Sequence, residues 1–336
     1  MADDLHTLVV GREAMACRFE AAFNAGEVPG DTELGIDVLD LVDRIEDQIS
    51  IYRPASELSR INASAARGWI EVSPGVWPML VRARELWELT GGAFDIAAGS
   101  LVRAWGFLRR EGRTPDDAAL AAAREAAGSQ HVELDHEHRR VRFHRPGVEI
   151  NPGAIGKGWA LDRAVSHLAC RGVANVLLHG GQSSVVARGT QGPSIGGRHG
   201  WRVGLRHPRR PGRRLATITL DDKALGTSGS GTQFFIDRGR KLGHILDPRT
   251  GRPAEGVISA TVIAESAADA DALATALYVL GRDGLPAVAP QGSGTAAVLV
   301  LPDADGGTRV LLANLDDRAI DIEAEPGLQV ERFRAG

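Results

Sequence analysis

Residues 244–281 read HILDPRTGRPAEGVISATVIAESAADADALATALYVLG, and they contain three consecutive elements around which the chain is organised. The first is a polar turn over residues 244–251. Residues 257–264 follow and carry the β-branched side chains that are typical of a strand. A helix is then predicted between Ser266, a residue type that caps helices, and Gly281, a residue type at which helices end.

The predicted helix combines an apolar stripe with two polar side chains on one face. Its apolar residues recur at helical spacing, at Leu273, Ala276, Leu277 and Leu280. Asp269 lies three residues after Ser266, which is the spacing of a capping box. Asp271 and Thr275 are four residues apart, so their side-chain oxygens are expected on the same face of the helix.

The Asp271–Thr275 pair has two interpretations. A carboxylate and a hydroxyl that project together from a buried helix are suitable ligands for a hard cation such as Mg²⁺ or Ca²⁺. Alternatively, Asp271 interacts with the helix dipole, and Thr275 donates a hydrogen bond to the carbonyl oxygen four residues before it. The spacing alone favours this second interpretation.

Composition excludes several classes of protein. The chain has 336 residues, of which 43% are hydrophobic and 24% charged, as in ordinary soluble globular proteins. A net charge of -4 gives no basic footprint for nucleic acid, and no apolar run is long enough to span a membrane. The N-terminus starts acidic and lacks the signal-peptide pattern, and no apolar stretch precedes Cys17, so we expect a cytoplasmic protein.

Apolar spacing and alternation predict further helices and strands on both sides of this stretch. Helices are predicted at 34–49, directly after Ser56, at 74–90 with Ser73 as the cap, at 115–127 with Thr114 and Pro115 as the cap, and at 282–290. Strands are predicted within 5–24, at 131–135, 140–144, 174–189, 201–205, 215–220, 234–237, 296–301, 310–313 and 328–333. Tyr52, between two helices, is expected to be a half-buried packing residue unless it contacts a ligand.

Two segments are rich in glycine. In residues 149–164, EINPGAIGKGWALDRA, a turn with Lys157 is expected between a strand and a helix, and its amides suit an anion. The spacing is too short for a P-loop, and the alternative is a tight connection with an exposed lysine. Residues 226–232, GTSGSGT, are expected to form either a loop that holds phosphate or sugar oxygens or a hairpin turn.

Taken in order, the motifs resemble the ApbE family of FAD:protein FMN transferases over nearly the whole chain. The matching segments are EAMACRF at 13–19, SIYRPASELSRIN at 50–62, GGAFDIAAGSLVRAWGF at 91–107, GAIGKGWALD at 153–162, LLHGGQ at 177–182, WRVGLRHP at 201–208, TSGSG at 227–231, HILDPRTGRP at 244–253 and ADALATALYVLG at 270–281. The most specific of these are the His-Ile-Leu-Asp-Pro turn and the Asp-Ala-Leu-Ala-Thr helix.

The resemblance implies a single α+β domain over residues 1–336, with mixed or antiparallel sheets, helices packed around them and a flavin cleft between two lobes. It also implies a Mg²⁺-dependent reaction, in which FMN passes from FAD to a Thr or Ser hydroxyl of a target flavoprotein and AMP is released. This chain lacks the acceptor signature Asp-x-x-Ser/Thr-Gly-Ala/Ser-Thr, so the acceptor is expected to be a separate protein.

The resemblance also assigns residues. Asp271 and Thr275 match the metal side chains, Gly153 matches the carbonyl that completes that site, and His244 matches the histidine near the scissile phosphate, which makes His244, Asp271 and Thr275 the catalytic candidates. The flavin-nucleotide contacts are expected at Met15, Tyr52, Ala93, Phe94, Asp95, Lys157, Thr227, Ser228 and His244. Asp247 is close enough in the turn to orient His244, although a simple hydrogen-bonded turn is favoured for Asp247.

Three segments depart from the family pattern. Ser230, Gly231 and Thr232 stand where an acidic residue, Tyr and Arg often follow Thr-Ser-Gly, Asn151 stands where Asp is frequent, and Gln182 stands where Asp or Asn is frequent. Two other functions therefore remain open. One is an FAD pyrophosphatase, in which water replaces the protein hydroxyl and yields FMN and AMP. The other is a non-catalytic FAD-binding protein.

Overall fold

The computed structural model describes residues 6–109, 111–192, 199–210, 212–229, 231, 234–303 and 305–333. The helices are α1 (Asp31–Ile49), α2 (Glu57–Ser64), α3 (Trp77–Leu89), α4 (Gly99–Ala104), α5 (Asp117–Ala126), α6 (Gly156–Cys170), α7 (Ala267–Leu280) and α8 (Leu285–Val288). The strands are β1 (Thr7–Ala14), β2 (Cys17–Asn24), β3 (Ile70–Glu71), β4 (Val132–Asp135), β5 (Arg140–Phe143), β6 (Val176–Gly180), β7 (Ser184–Arg188), β8 (Trp201–Arg206), β9 (Arg214–Leu220), β10 (Ala224–Gly229), β11 (Phe234–Asp237), β12 (Arg240–Gly243), β13 (Leu246–Asp247), β14 (Arg252–Pro253), β15 (Ser259–Ala264), β16 (Ala296–Pro302), β17 (Thr308–Ala313), β18 (Ile320–Ile322) and β19 (Leu328–Phe333).

A nine-stranded sheet, in the order β1-β2-β6-β7-β10-β15-β16-β17-β19, forms the centre of the structure. Its neighbouring strands are antiparallel except for β17 and β19, which are parallel. Smaller sheets are formed by β18-β9-β8, β3-β5-β4, β11-β12 and β13-β14. The mixed sheet and the separate helices confirm the predicted α+β class. Within the described ranges, every helix is too short or too polar to cross a membrane.

The two faces of the central sheet bury different partners because side chains alternate along each strand. On one face, Val262 belongs to a core that includes α1, α6 and α7. On the other face, Ile263 packs with Trp201 and other residues of the β18-β9-β8 sheet. A third, smaller cluster lies under α4 and α5, and it includes Leu246 of the polar turn. The turn is thereby attached to the body of the protein.

Helix α7 is buried on nearly every side, and two glycines allow this close packing. A Cβ atom at Gly226 of β10 would lie 2.4 Å from the carbonyl carbon of Ala270. A Cβ atom at Gly158 of α6 would lie 2.1 Å from the carbonyl oxygen of Ala267. Since no side chain fits in either place, α7 lies directly against the backbone of a central strand and of a second helix.

The N-terminus of α7 is capped by its own sequence and by α6. The Ser266 hydroxyl accepts a hydrogen bond from the Asp269 N–H at 3.2 Å, as predicted. Asp162 of α6 accepts from the N–H groups of Ala267 and Ala268 at 2.7 and 2.9 Å and from the Ser266 hydroxyl at 2.8 Å. Burial raises the pKa of the Asp162 carboxyl, and these donors oppose the shift.

The predicted capping box is only half formed. The Asp269 carboxylate receives two hydrogen bonds from the Arg82 guanidinium, both at 2.8 Å. In the part of the chain that the structure describes, the Asp269 side chain makes no hydrogen bond to the Ser266 N–H. The guanidinium of a helix that is distant in sequence has displaced the local bond because it offers two charged donors.

Two predicted helix starts were wrong. Ser73 does not cap α3; its hydroxyl donates to Glu57 at 2.5 Å, and the helix begins at Trp77. Asp116 caps α5 instead of Thr114, which donates to Asp237 at 2.8 Å. In each case a partner from another element binds the expected cap.

Two predicted elements also take other forms. Residues 226–229 of the expected loop belong to strand β10, while Ser230 and Thr232 lie outside the described residues. The expected helix at 282–290 is a 3-10 turn, Gly281–Gly284, followed by the short helix α8. The first of these corrections matters for the site, because it moves Thr227 and Ser228 into the central sheet.

Gly226→Ala tests the contact between α7 and β10. Since the added methyl group would overlap the α7 backbone, we expect the free energy of unfolding to fall by about 3 kcal/mol or more in a urea titration. Gly68→Ala is the matched control, because a Cβ atom at Gly68 meets nothing within 4 Å. Equal stability of both variants would contradict the packing described here.

Asp162→Ala tests the cap that α6 provides for α7. The change leaves two buried N–H groups of α7 without their acceptor, so we expect a loss of about 2 kcal/mol in the free energy of unfolding. Asp162→Asn keeps one acceptor oxygen and should lose less. If thermal and urea unfolding of Asp162→Ala match those of the parent protein, the cap is not a stabilising contact.

Candidate active site

The Asp271 carboxylate is the most deeply buried charged group of the predicted site, with the residue 7% exposed. The Ser184 hydroxyl lies 2.7 Å from Oδ1 and 2.8 Å from Oδ2. The Gly158 N–H donates to Oδ2 at 2.9 Å. Burial raises the pKa of the Asp271 carboxyl to about 6, and the positive charge of Lys157 opposes that shift. A carboxylate in this environment is stabilised by a nearby cation.

The Thr275 hydroxyl makes the bond that the alternative interpretation predicts. It donates to the backbone carbonyl oxygen of Asp271 at 3.1 Å. Its oxygen also lies 3.0 Å from the Ser228 hydroxyl of β10. Because its proton is directed to the carbonyl, the Thr275 oxygen still has lone pairs for a second donor or for a cation. The observed bond and a metal-binding role are therefore compatible.

Alternation along β10 separates the two hydroxyl residues that were predicted to contact the cofactor. Ser228 and Gly226 face α7, whereas Thr227 faces the other side of the sheet. The Thr227 hydroxyl lies 2.9 Å from the Thr261 hydroxyl of the neighbouring strand. The structure thus brings Ser228 to Thr275 and directs the Thr227 side chain to the opposite face of the sheet.

The predicted glycine-rich turn is a 3-10 turn, Pro152–Ala154, that leads into α6. Gly153 is exposed and donates its N–H to the Asn151 side chain at 2.9 Å. The 3-10 turn packs against α7, which places Gly153 on the same side of the sheet as Asp271. Gly158, expected in the turn, lies within α6 and directs its N–H to Asp271 instead of an external anion.

Lys157 and the start of α6 offer unused positive groups beside Asp271. Among the described residues, the Lys157 ammonium has no ion-pair partner, and the N–H groups of Gly156 and Lys157 have no acceptor. The first N–H groups of a helix attract anions. This end of α6 therefore has the chemistry of a phosphate site, whereas the N-terminus of α7 is occupied by Asp162.

Met15 lies in the two-residue turn between β1 and β2. Met15 and Ala16 have φ of 49° and 59°, the left-handed conformation that a tight hairpin requires and that costs free energy for residues other than glycine. Burial raises the pKa of the adjacent Cys17 thiol, while the charge of Lys157 lowers it and that of Asp271 raises it further. The hairpin turn is consequently within electrostatic range of the candidate site.

Tyr52 follows α1 and is 68% exposed, so the half-buried packing role is wrong. An exposed tyrosine ring has an open face on which a planar ligand can stack. Nothing in the packing of the described residues requires an aromatic side chain at this position. Tyr52 is thus available for a ligand contact.

Ala93 and Phe94 are buried to 1% exposure, so their side chains belong to the core. The Asp95 carboxylate accepts from the Ser129 hydroxyl at 2.6 Å, the Ser129 N–H at 3.0 Å and the Ala97 N–H at 2.8 Å. Burial raises the pKa of this carboxyl, and these donors oppose the shift. A ligand at this segment would meet backbone atoms and the exposed part of Asp95.

A cavity of about 510 Å³ is lined both by the segment that contains Asp95 and by the polar turn. Its lining includes Gly91, Gly92, Pro248 and Arg249. The two glycines have φ of 57° and 79°. A larger cavity, of about 660 Å³, lies at the C-terminal end of the chain, and its lining contains none of the predicted site residues.

His244 follows β12 and is half-buried, with its ring centroid 6.4 Å from that of Phe107. The Asp247 carboxylate accepts hydrogen bonds from Nε and Nη2 of the Arg249 guanidinium and from the Arg249 backbone N–H, each at 2.9 Å. The hydrogen-bonded turn, and not the imidazole, therefore accounts for the position of Asp247.

The donor set is suited to Mg²⁺ more than to a transition metal. Among the described residues, no group of three or more His, Cys, Asp or Glu side chains converges on one point. The site offers one carboxylate, a hydroxyl and a nearby backbone turn. Mg²⁺ binds through one or two carboxylates and completes its shell with waters and substrate phosphates. The residues present thus fit a magnesium site whose remaining ligands are waters or substrate phosphates.

Known proteins resemble this chain in sequence. A family model described as "ApbE family" matches residues 15–299. The FAD:protein FMN transferase of Rhodobacter capsulatus is 36% identical over 255 residues, which cover 74% of this chain and 46% of that protein. The FAD:protein FMN transferase of Vibrio cholerae is 33% identical over 254 residues, 74% of each chain. The chain thus spans about half the length of the first relative and about three quarters of the second.

Solved structures resemble it in fold. The ApbE protein of Thermotoga maritima superposes with a TM-score of 0.79 at 29% identity, over 90% of this chain and 96% of that one. The flavin transferase ApbE from Vibrio cholerae gives a TM-score of 0.79 at 27% identity, over 93% of this chain and 98% of that one. Since the family model covers most of the sequence and the fold agrees over nine tenths of the chain, this protein belongs to the ApbE family.

Proposed function

We propose that this protein transfers FMN from FAD to a Thr or Ser hydroxyl of a separate target flavoprotein and releases AMP, in a Mg²⁺-dependent reaction. The observation that carries the proposal is the buried Asp271 carboxylate, with the Thr275 hydroxyl one turn later on the same helix, in a chain of the ApbE family. Relatives named FAD:protein FMN transferase support the reaction class.

In this proposal the Asp271 carboxylate, the Thr275 hydroxyl and the Gly153 carbonyl hold the metal. Both side chains are on one helix, and the 3-10 turn with Gly153 packs against that helix. When bound, Mg²⁺ would neutralise charge on the pyrophosphate oxygens of FAD. Lys157 and the first N–H groups of α6 would hold the remaining phosphate oxygens.

The exposed ring of Tyr52 and the thioether of Met15 would contact the isoalloxazine or adenine ring. Ala93 and Phe94 would contribute backbone atoms, and Asp95 and Ser228 would contribute polar contacts. Thr227 stays a predicted contact, although its side chain lies on the other face of β10. We propose that the flavin cleft lies between two lobes of the domain and that these residues line it.

His244 would accept the proton of the acceptor hydroxyl, since an imidazole takes up a proton near neutral pH. The hydroxyl oxygen attacks the phosphorus of the FMN half, and a new phosphoester bond forms. The bond from that phosphorus to the bridging oxygen breaks, and the electron pair leaves with AMP. Positioning and charge stabilisation provide most of the catalysis in such a reaction.

We also propose that residues 1–336 form one domain and that the protein acts in the cytoplasm. The central sheet supports the first point, because β1 is one edge of it and β19 the other, so both ends of the described chain share a single sheet. Cell fractionation with an antibody to the protein tests the second.

The reaction is tested by incubating the purified protein with FAD and Mg²⁺, with and without a domain that carries the acceptor signature. AMP together with an FMN adduct on the acceptor is the expected result. AMP without an adduct in both mixtures would favour an FAD pyrophosphatase. Intact FAD bound in both mixtures would favour a flavin-binding protein.

Asp271→Asn keeps the shape of the side chain and removes its charge. We expect AMP release in Mg²⁺ to fall by at least about 100-fold, because loss of a direct ligand costs at least as much as loss of a group that orients one. Asp269→Asn is the matched control, since it makes the same change two residues earlier, on a side chain bound to Arg82. Turnover at the parent rate in Asp271→Asn would limit Asp271 to a structural role.

Tyr52→Ala should weaken FAD binding by about 1 kcal/mol or more, since stacking on an aromatic ring is lost. Flavin fluorescence titration measures the change, and Tyr52→Phe should retain most of the affinity. Protein stability should stay the same, because the side chain is 68% exposed. An unchanged FAD affinity in Tyr52→Ala would place the flavin away from this ring.

A further inference from the structure

We propose that Ser184 is a positioning residue, which fixes the Asp271 carboxylate in the orientation that binds the divalent cation. The inference rests on the proposed function, because it requires Asp271 to be a metal ligand. Ser184 is 0% exposed, and among the described residues its hydroxyl has no hydrogen-bond partner other than Asp271.

The geometry of the hydroxyl is specific. It lies 2.7 and 2.8 Å from the two carboxylate oxygens, yet it has only one proton to donate. The proton of the Ser184 hydroxyl therefore points between Oδ1 and Oδ2, and the two oxygens share it. The Gly158 N–H, which belongs to a different element, binds Oδ2 at 2.9 Å. Two donors from β7 and α6 thus restrict rotation of a carboxylate that is carried by α7.

One neighbour of Ser184 in the sheet leaves space for this contact. Ser184 is paired with Gly180 on β6 and with Gly226 on β10. Because Gly226 has no side chain, the α7 backbone can approach this row of the sheet and bring Asp271 to the hydroxyl. A Cβ atom at Gly180 would instead meet the Phe19 ring at 2.8 Å, so it is a larger residue at position 226 that would separate the helix from Ser184.

Donors that hold a metal-binding carboxylate commonly set the affinity of the site, and their loss costs about 10- to 100-fold. Without Ser184, Oδ1 has no hydrogen-bond donor among the described residues, and the carboxylate is held by Gly158 alone. The side chain could then rotate away from the direction set by Thr275 and the phosphate site. We therefore expect Ser184→Ala to bind the cation more weakly.

The test is a titration of the full-length protein with Mn²⁺, which replaces Mg²⁺ and is detected by electron paramagnetic resonance. Ser184→Ala should raise the dissociation constant by about 10- to 100-fold, and the Mg²⁺ concentration for half-maximal AMP release should rise by the same factor. Ser184→Thr retains the hydroxyl and should restore affinity. Ser183→Ala, one residue away on a partly exposed side chain, is the matched control and should bind as the parent does.

The outcomes separate this inference from the proposed function. If the parent protein and Asp271→Asn bind Mn²⁺ equally, the proposed metal site is wrong. If Asp271→Asn loses Mn²⁺ while folded Ser184→Ala binds it with parent affinity, only the role of Ser184 is overturned. If Ser184→Ala does not fold, Ser184→Cys is used: intermediate affinity supports the positioning role, because the thiol is a weaker donor, and parent affinity refutes it.

Discussion

The close contact of α7 with the backbones of β10 and α6 is the constraint on which the structure depends. Two residues without a Cβ atom, Gly226 and Gly158, make that contact possible. It sets the depth of α7 in the core and therefore the depth of Asp271. The same contact brings the Gly158 N–H and the Ser184 hydroxyl to the carboxylate, so the packing and the chemistry of the site have one origin.

The N-termini of α7 and α6 differ in whether their N–H groups have a protein acceptor. Asp162 occupies the first N–H groups of α7, which keeps a buried helix end satisfied. The N–H groups of Gly156 and Lys157, the first two of α6, have no acceptor among the described residues, and the Lys157 ammonium belongs to the same turn. In the proposed function, a negatively charged substrate would be bound by α6 and a cation by α7. In this arrangement opposite charges meet between the two helices, where each stabilises the other.

Local patterns predicted the parts of the fold that local forces determine. The apolar stripe and Ser266 located α7, and Ser56 was found correctly as the cap of α2.

Features decided by distant partners could not be predicted in this way. Asp162 caps a helix 105 residues away, and Ser184 donates to a carboxylate 87 residues away. No local signal distinguishes Ser184 from Ser183, although alternation with Val186 would place Ser184 on the buried face. Residues 226–229 of β10 were predicted to be a loop or turn because glycine and serine have low or neutral strand propensity, whereas Gly226 is required there by the contact with α7.

The elements that meet at Asp271 belong to the centre of the molecule, since β7 and β10 are interior strands of the nine-stranded sheet. A ligand that binds only the folded state adds its binding free energy to the free energy of unfolding. Release of α6 from α7 would remove the Gly158 donor and leave the carboxylate with the Ser184 hydroxyl alone. Occupancy of the proposed site and the free energy of unfolding would therefore be thermodynamically linked, and cation concentration would then control the stability of the whole sheet.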